Sequence, residues 1–269
     1  MGETASERMV GEGSVVLLGA GRVATHLAPA LVRAGYRVAQ VWSRTENSAR
    51  GLAEPLGIAY TTDLDSVVAD ADVYIACVAD GALPEVAGRV VTRGGTSPLY
   101  LHTAGSVGME LWQRCGAARY GILYPLQTFS KEREVDVREV SFFVEASGDE
   151  AMKAIEALAH NLADKVYRAD SKRRARLHVA AVFACNFANA MYDAAHHLLS
   201  EEDIPFEVLL PLIDETAAKV HTLAPHDAQT GPAVRGDSAV MQSHIAALEG
   251  DGDLQAMYTL ISNYITKHR

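Results

Sequence analysis

From Ser14 onward, apolar and polar positions change period in regular blocks. "SVVLLGAG" is a short continuous apolar run that ends in glycines. "RVATHLAPALVRAG" follows with apolar residues at helical spacing and a glycine stop at Gly35. The alternation then repeats. "YRVAQVWSR" reads as a strand, "TENSARGLAEPLG" as a helix broken near Pro55, and "IAYTT" as a short strand. "DLDSVVADA" reads as a short helix capped by Asp63, "DVYIACV" as a strand, and "DGALPEVAGRV" as a helix opened by Asp80. "PLYLHTAGS" and "RYGILYPLQ" are two further strand-then-loop units, "VSFFVEAS" reads as an edge strand, and "DEAMKAIEALAHNLA" as a helix. Continuous apolar strands between helices predict an α/β fold, a doubly wound Rossmann-type parallel sheet covered on both faces.

The pattern shifts at Asp170, after which no strand is predicted. "SKRRARLHVAAVFACNFANAMYDAAHHLLSEE" reads as one helix of about 30 residues, roughly 45 Å long. "PFEVLLPLIDETAAKVHTLA", "DSAVMQSHIAALE" and "DLQAMYTLISNYITKHR" read as further helices. The expected organisation is a disordered tail over residues 1–12, a dinucleotide-binding domain over 13–168, and a helical C-terminal domain over 169–269. A helix this long and apolar on most sides exceeds what one small domain covers, so the helical domain is expected to form a homodimer as well as one wall of a substrate cleft.

Composition narrows the partners. The net charge of −10 argues against a broad basic footprint for nucleic acid, yet leaves room for an anionic small molecule held by a local arginine. Three cysteines, Cys77, Cys115 and Cys185, lack any metal-type spacing and suit a reducing cytoplasm. No apolar run reaches the ~18 residues of a membrane span. "MGETASERMVGEG" is too polar for a signal peptide. Gly2 and Ser6 formally fit an N-myristoylation pattern, but one acyl chain with no polybasic stretch anchors only marginally.

Candidate chemistry begins at "GAGRVA", Gly19, Ala20, Gly21, Arg22, Val23 and Ala24, between a predicted strand and helix. Gly19 permits the tight turn, Gly21 lets a pyrophosphate approach the backbone, and Ala24 lets helix and strand pack closely. The helix N-terminus supplies free N–H groups. An NAD site carries an acid at the end of the second strand; here Ser43 and Arg44 stand there, and a guanidinium matches a 2′-phosphate. NADP is therefore expected over NAD, with Arg22 adding to the phosphate field and Val78 and Asp80 lining the nicotinamide half.

Ligands in such sheets bind beyond the carboxyl ends of the strands. His102 and Ser106 end one strand, among residues too small to shield them, and Tyr124, Gln127 and Thr128 end the next. His102 is a candidate proton donor, and Ser106 and Gln127 candidate substrate contacts. On the long helix, His178 and Asn189 lie about 20° apart and Asn186 about 80° from His178, one broad face. Metal-assisted chemistry through Asp193, His196 and His197, or His221, His226 and Asp227, is a weaker reading, since those spacings suit solvated helix faces; no metal is expected.

"GAGRVA", "LHTAGS", "YPLQTFS", "LHVAAVFACNFANAMY" and "TGPAVRGD", in this order, resemble a family of Rossmann-like proteins with a helical C-terminal domain of unknown function. Its wider relatives are pyrroline-5-carboxylate reductase, deazaflavin-linked NADP oxidoreductases, and the 6-phosphogluconate and β-hydroxyacid dehydrogenases. The resemblance implies cofactor on the N-terminal domain and substrate between it and a helical domain that often dimerises. Departures limit the transfer. β-Hydroxyacid dehydrogenases carry Lys-x-x-x-Asn on the long helix; here His178 is followed by Val182 four residues on and Asn186 eight on. Pyrroline-5-carboxylate reductases carry a Pro-Gly-Gly-Thr-Thr loop, to which "TGPAVRGD" corresponds by location only.

The expected function is an NADP(H)-dependent oxidoreductase moving hydride to or from a C=O or C=N carbon of a small, carboxylate-bearing substrate. His102 or His178 is the expected acid/base. Ser106, Gln127 and Asn186 would position substrate, and Arg235 would clamp its carboxylate. The alternative is a non-catalytic NADP(H)-binding sensor or assembly protein. The Arg-Gly-Asp inside "TGPAVRGD" is not read as an adhesion signal; Gly231 and Pro232 suit a turn and Asp237 a helix cap.

Overall fold

The computed structural model describes residues 13–91 and 97–268. The expected disordered tail and its Gly2/Ser6 pattern lie outside these described residues. An eight-stranded sheet runs in the order β3-β2-β1-β4-β5-β6-β7-β8. Its strands are β1 (Ser14–Leu18), β2 (Arg37–Trp42), β3 (Ala59–Thr61), β4 (Val73–Ala76), β5 (Leu99–His102), β6 (Arg119–Leu126), β7 (Ser141–Ala146) and β8 (Lys165–Arg168). All neighbours pair in parallel except β6 and β7. The helices between them are α1 (Arg22–Arg33), α2 (Glu46–Ala53), α3 (Leu83–Val91), α4 (Glu110–Arg114) and α5 (Asp149–Leu162).

Alternating strand residues feed two cores. Val15, Leu17, Val73, Ile75, Leu101 and Leu123 pack with α1 and α5. Val16, Leu18, Tyr74, Ala76 and Tyr100 pack with α3 and with Trp112 of α4. Both faces are apolar because both are buried, which is why the strands show no alternation in the sequence.

Two local expectations change. "VSFFVEAS" is not an edge strand: β7 lies between β6 and β8, antiparallel to the first and parallel to the second. The edge is β8, from "KVYR", whose residues are mostly exposed and give no apolar run to read. The predicted helix after Asp63 is only a 3-10 turn, Leu64–Ser66, although Asp63 does cap it by accepting from the Asp65 amide. The helix break at Pro55 is a 3-10 turn, Glu54–Leu56, after α2.

The described chain forms two compact units that divide after Cys185. Helix α6 (Ser171–Ala181) therefore belongs with the sheet, although the composition already changes at residue 169. Arg174 explains the attachment. It is 1% exposed, pairs with Glu145 of β7, and donates from Nη2 to the Val107 carbonyl at 2.6 Å. Glu145 also accepts from the Ser171 amide (2.9 Å) and hydroxyl (2.8 Å), so one carboxylate holds the first turn of α6 to the sheet.

Beyond α6 the chain passes through a π-helical segment, Val182–Phe187, into α7 (Ala188–Ser200). The second unit continues with α8 (Leu210–Lys219), the short α9 (Pro232–Arg235), α10 (Ser238–Ala247) and α11 (Gly252–Lys267). "TGPAVRGD" is thus a helical turn rather than an irregular loop. Pro232 opens it, Gly236 closes it at φ +70°, and Asp237 caps α10 through the Val240 amide at 3.3 Å. Most apolar side chains of this unit are open to solvent; among the described residues only Ala233 is buried.

Candidate functional site

The sheet order reverses between β1 and β4, and a cleft of about 290 Å³ opens there. Its floor is Gly19–Gly21 from the turn after β1 and Cys77–Ala79 after β4; its far wall is Trp42–Thr45 after β2. Gly19 has φ +115°, and a Cβ there would stand 2.6 Å from the Cys77 carbonyl oxygen, so the fold itself demands glycine. Gly21 is different. A Cβ there would meet only the Cys77 carbonyl oxygen, at an ordinary 3.7 Å. The fold does not need glycine at this position; its absent side chain leaves the space over the N-terminus of α1 open. No side chain caps that terminus, which leaves its first amides directed at the cleft.

Ser43 and Arg44 line the cleft with Thr45 and Ser48, and among the described residues no acidic side chain does. Lys131, from the loop after β6, adds a second cation that the sequence reading missed. Of the other expected cofactor contacts, Val78 lines the cleft; Arg22 is exposed at the start of α1, and Val23 packs against the core. Arg22, Val23 and Asp80 are not among the lining residues. A dinucleotide fits this donor set: a bare helix terminus, a glycine with open space before it, hydroxyls and two cations.

The chain then connects the cleft to a second group of polar residues. Asp80, just past the lining residues of the β4 loop, accepts a short hydrogen bond from Ser106 in the loop after β5. Beside Ser106, Gly105 touches His178 of α6: a Cβ at Gly105 would stand 2.6 Å from His178 Nδ1 and 3.0 Å from Tyr124 Cε2. His178 Nδ1 lies 3.1 Å from the Tyr124 hydroxyl at the end of β6, with the rings edge to face. Burial raises the Tyr124 pKa, partly offset by the charge of Arg174, so the phenol keeps its proton. His178 is one helical turn beyond Arg174, so the clasp that fixes α6 also fixes the imidazole.

His102 is not open to a cleft. It is fully buried, and its ring stacks on Trp112 at 6.2 Å. Its small loop neighbours indeed do not shield it; Trp112, ten residues further on, does. Burial, then the Arg174 charge, push its pKa down to about 4, which the Gly108 backbone and Asp80 oppose only in part. Its Nδ1 accepts from the Ala104 amide at 3.2 Å and so orders the start of the loop that carries Gly105 and Ser106. An imidazole this hard to protonate is a poor proton carrier near neutrality. Cys77, beneath the cleft, is buried too, and its thiol is pushed up to about 12.

The remaining expected residues divide between the two units. Gln127 is exposed and turns its amide oxygen to the Thr128 amide at 2.8 Å. Asn186, Asn189 and Arg235 are exposed residues of the second unit, while His178 belongs to the first. A π-helical segment, Val182–Phe187, lies between His178 and Asn189 and contains Asn186, so the angular steps along this stretch differ from the regular 100°. Arg235 makes no hydrogen bond or ion pair among the described residues. His197 pairs with Glu201 at 3.7 Å and His196 packs edge-on to Phe206, so both have local partners on the helix surface. Among the described residues, no three His, Cys, Asp or Glu side chains gather as a metal set.

Residues 14–96 match the family described as NADP oxidoreductase, coenzyme F420-dependent, and residues 140–265 match a domain of unknown function, DUF2520. A solved structure of BF3122 from Bacteroides fragilis, which bears the name of an NADP oxidoreductase, is 48% identical, with a TM-score of 0.92 over 96% of this chain and 99% of that one. The chain belongs to this two-domain family. The fold is also that of protein TM1727 from Thermotoga maritima, at 20% identity and a TM-score of 0.78 over 94% of this chain and 98% of that one. It is shared with a pyrroline-5-carboxylate reductase from Coxiella burnetii, at 17% identity and a TM-score of 0.59 over 95% and 96%. No curated protein matches the sequence. Among the described residues, no helix is long and apolar enough to cross a membrane.

Proposed function

We propose that this protein is an NADP(H)-dependent oxidoreductase acting on a C=O or C=N carbon of a small, carboxylate-bearing substrate. The observation that carries this reading is continuity along one edge of the sheet. Val78 and Ala79 line the cleft, Asp80 binds Ser106, and Gly105 beside it packs on the His178–Tyr124 pair. Gly19, Ala20, Gly21, Ser43, Arg44 and Val78 would hold the nucleotide, and Arg44, unpaired among the described residues, favours NADP over NAD. When bound, that nucleotide supplies or accepts the hydride.

The chain's own residues then handle the proton. Tyr124 and His178 share a hydrogen bond at Nδ1, which leaves Nε2 as the nitrogen that exchanges a proton with a substrate oxygen or nitrogen. The proton-carrier role thus rests with His178, while His102 acts as a positioning residue for the Ala104–Ser106 backbone. Ser106 would orient substrate. Stereospecific transfer of label from deuterated NADPH to one of a panel of oxo acids and cyclic imines tests it. His178→Asn is expected to lower turnover by about 10²–10⁴-fold while leaving the NADPH Kd within about twofold. Full turnover in that variant would remove His178 from the scheme.

The non-catalytic sensor reading has one observation in its favour: the buried, hard-to-protonate His102 withdraws one of the two expected acids. NADPH binding with no transfer to any panel member would favour it.

The same proposal includes a homodimer through the helical unit. Leu212 (63% exposed), Leu260 (72%) and Tyr264 (65%) are apolar side chains that a monomer leaves in water. A monomeric mass in solution would sink it. The three cysteines are free, which suits a cytoplasmic setting.

A further inference from the structure

We propose that Lys131 is a specificity-determining residue that, with Arg44, forms a two-cation seat for the 2′-phosphate of the cofactor. The inference rests on the NADP reading above and adds a residue, a loop and an anchoring contact to it. Among the described residues, every other lining residue of the cleft comes from the ends of β1, β2 and β4 or the residues that follow them; Lys131 alone arrives from the loop after β6. That loop starts beyond the far side of β5 and has no topological need to reach the switch point.

It is held there by specific contacts. His26, buried on α1, donates from Nε2 to the Ser130 carbonyl at 2.8 Å. The His26 ring also stacks on Phe129, with centroids 5.0 Å apart and planes at 29°. Phe129 and Val135 both pack against the main core. The chain is thus anchored on both sides of Lys131, which fixes the backbone while the exposed ammonium stays free to meet a ligand. Among the described residues, neither Lys131 nor Arg44 has an acidic partner. Around them stand the hydroxyls of Ser43, Thr45 and Ser48, with Thr45 Oγ1 donating to Ser48 Oγ at 2.9 Å. Two unpaired cations with hydroxyl donors and no acid, on a chain of net charge −10, suit a phosphomonoester rather than a diol.

The test is equilibrium binding of NADPH and NADH to the full chain, by quenching of protein fluorescence, for the parent protein, Lys131→Met, Arg44→Ala, His26→Gln and His26→Ala. Lys131→Met is expected to weaken NADPH roughly three- to tenfold and leave NADH unchanged, the range for a solvent-accessible charged contact. The NADPH affinity should also fall less steeply with salt in this variant. His26→Gln keeps a donor for Ser130 and should retain the preference, whereas His26→Ala should lose part of it. Equal weakening of both nucleotides would put Lys131 on the pyrophosphate instead and overturn the proposal. So would loss of the preference in Arg44→Ala alone with Lys131→Met unchanged, and in that case the NADP reading would stand. A parent protein that binds both nucleotides equally would sink the NADP reading, and this inference with it.

Discussion

His102→Asn separates a structural histidine from a catalytic one through its pH dependence. The asparagine Oδ1 replaces Nδ1 as acceptor for the Ala104 amide, and no titrating group remains. In the folded chain the His102 pKa is pushed from 6.5 down to about 4 by burial and by Arg174. The unfolded chain therefore binds more protons across that window. Stability from the neutral ring is complete above about pH 6.5 and is lost as pH falls toward 4. At roughly 1.4 kcal/mol per pH unit, this amounts to about 3 kcal/mol. Urea unfolding of both proteins at several pH values between 7.5 and 4 gives the comparison. The variant lacks the ring and leaves a gap beside Trp112, so it starts about 1–3 kcal/mol less stable at pH 7.5. The parent should then lose about 3 kcal/mol relative to it on the way to pH 4, closing or reversing the difference. Parallel stability curves would refute the argument, because they would mean that His102 titrates normally in the fold. The same variant should not shift the pH profile of turnover near neutrality; such a shift would return His102 to the reaction.

Three further outcomes follow from the geometry. Gly19→Ala should cost about 1–3 kcal/mol or more in stability, from its φ of +115° and the Cys77 carbonyl, whereas Gly21→Ala should fold normally and weaken NADPH by about tenfold in the same binding titration. Gly105→Ala drives a methyl into His178 and Tyr124; turnover should fall by about 10²-fold with NADPH affinity within about twofold, and unchanged turnover would show that this pair is not used. Glu145→Gln strips the carboxylate from a guanidinium that is 1% exposed, and chemical denaturation should show a loss of about 3–5 kcal/mol; a loss under about 1 kcal/mol would mean that α6 is held by other contacts.

Local pattern is enough for much of this molecule. The continuous apolar strands, the glycine turn after β1, the Ser43–Arg44 pair after β2 and the caps at Asp63 and Asp237 are readable because each is decided by residues a few positions apart. Edge strand β8 escapes for the same reason: four mostly exposed residues paired on one side carry little periodic signal. Tertiary structure alone decided the rest. Trp112 turns the histidine that looked most accessible into a buried one. The pairing of buried Arg174 with Glu145 assigns α6 to the sheet, and the π-helical segment changes the angular steps between His178 and Asn189. Gly105 brings His178 against Tyr124 across 54 residues of chain, and His26 carries Lys131 to the cleft across 104. Sequence fixes which local conformations are affordable at each position; burial, charge pairing and close approach depend on residues distant in the chain, and only the folded packing brings those together.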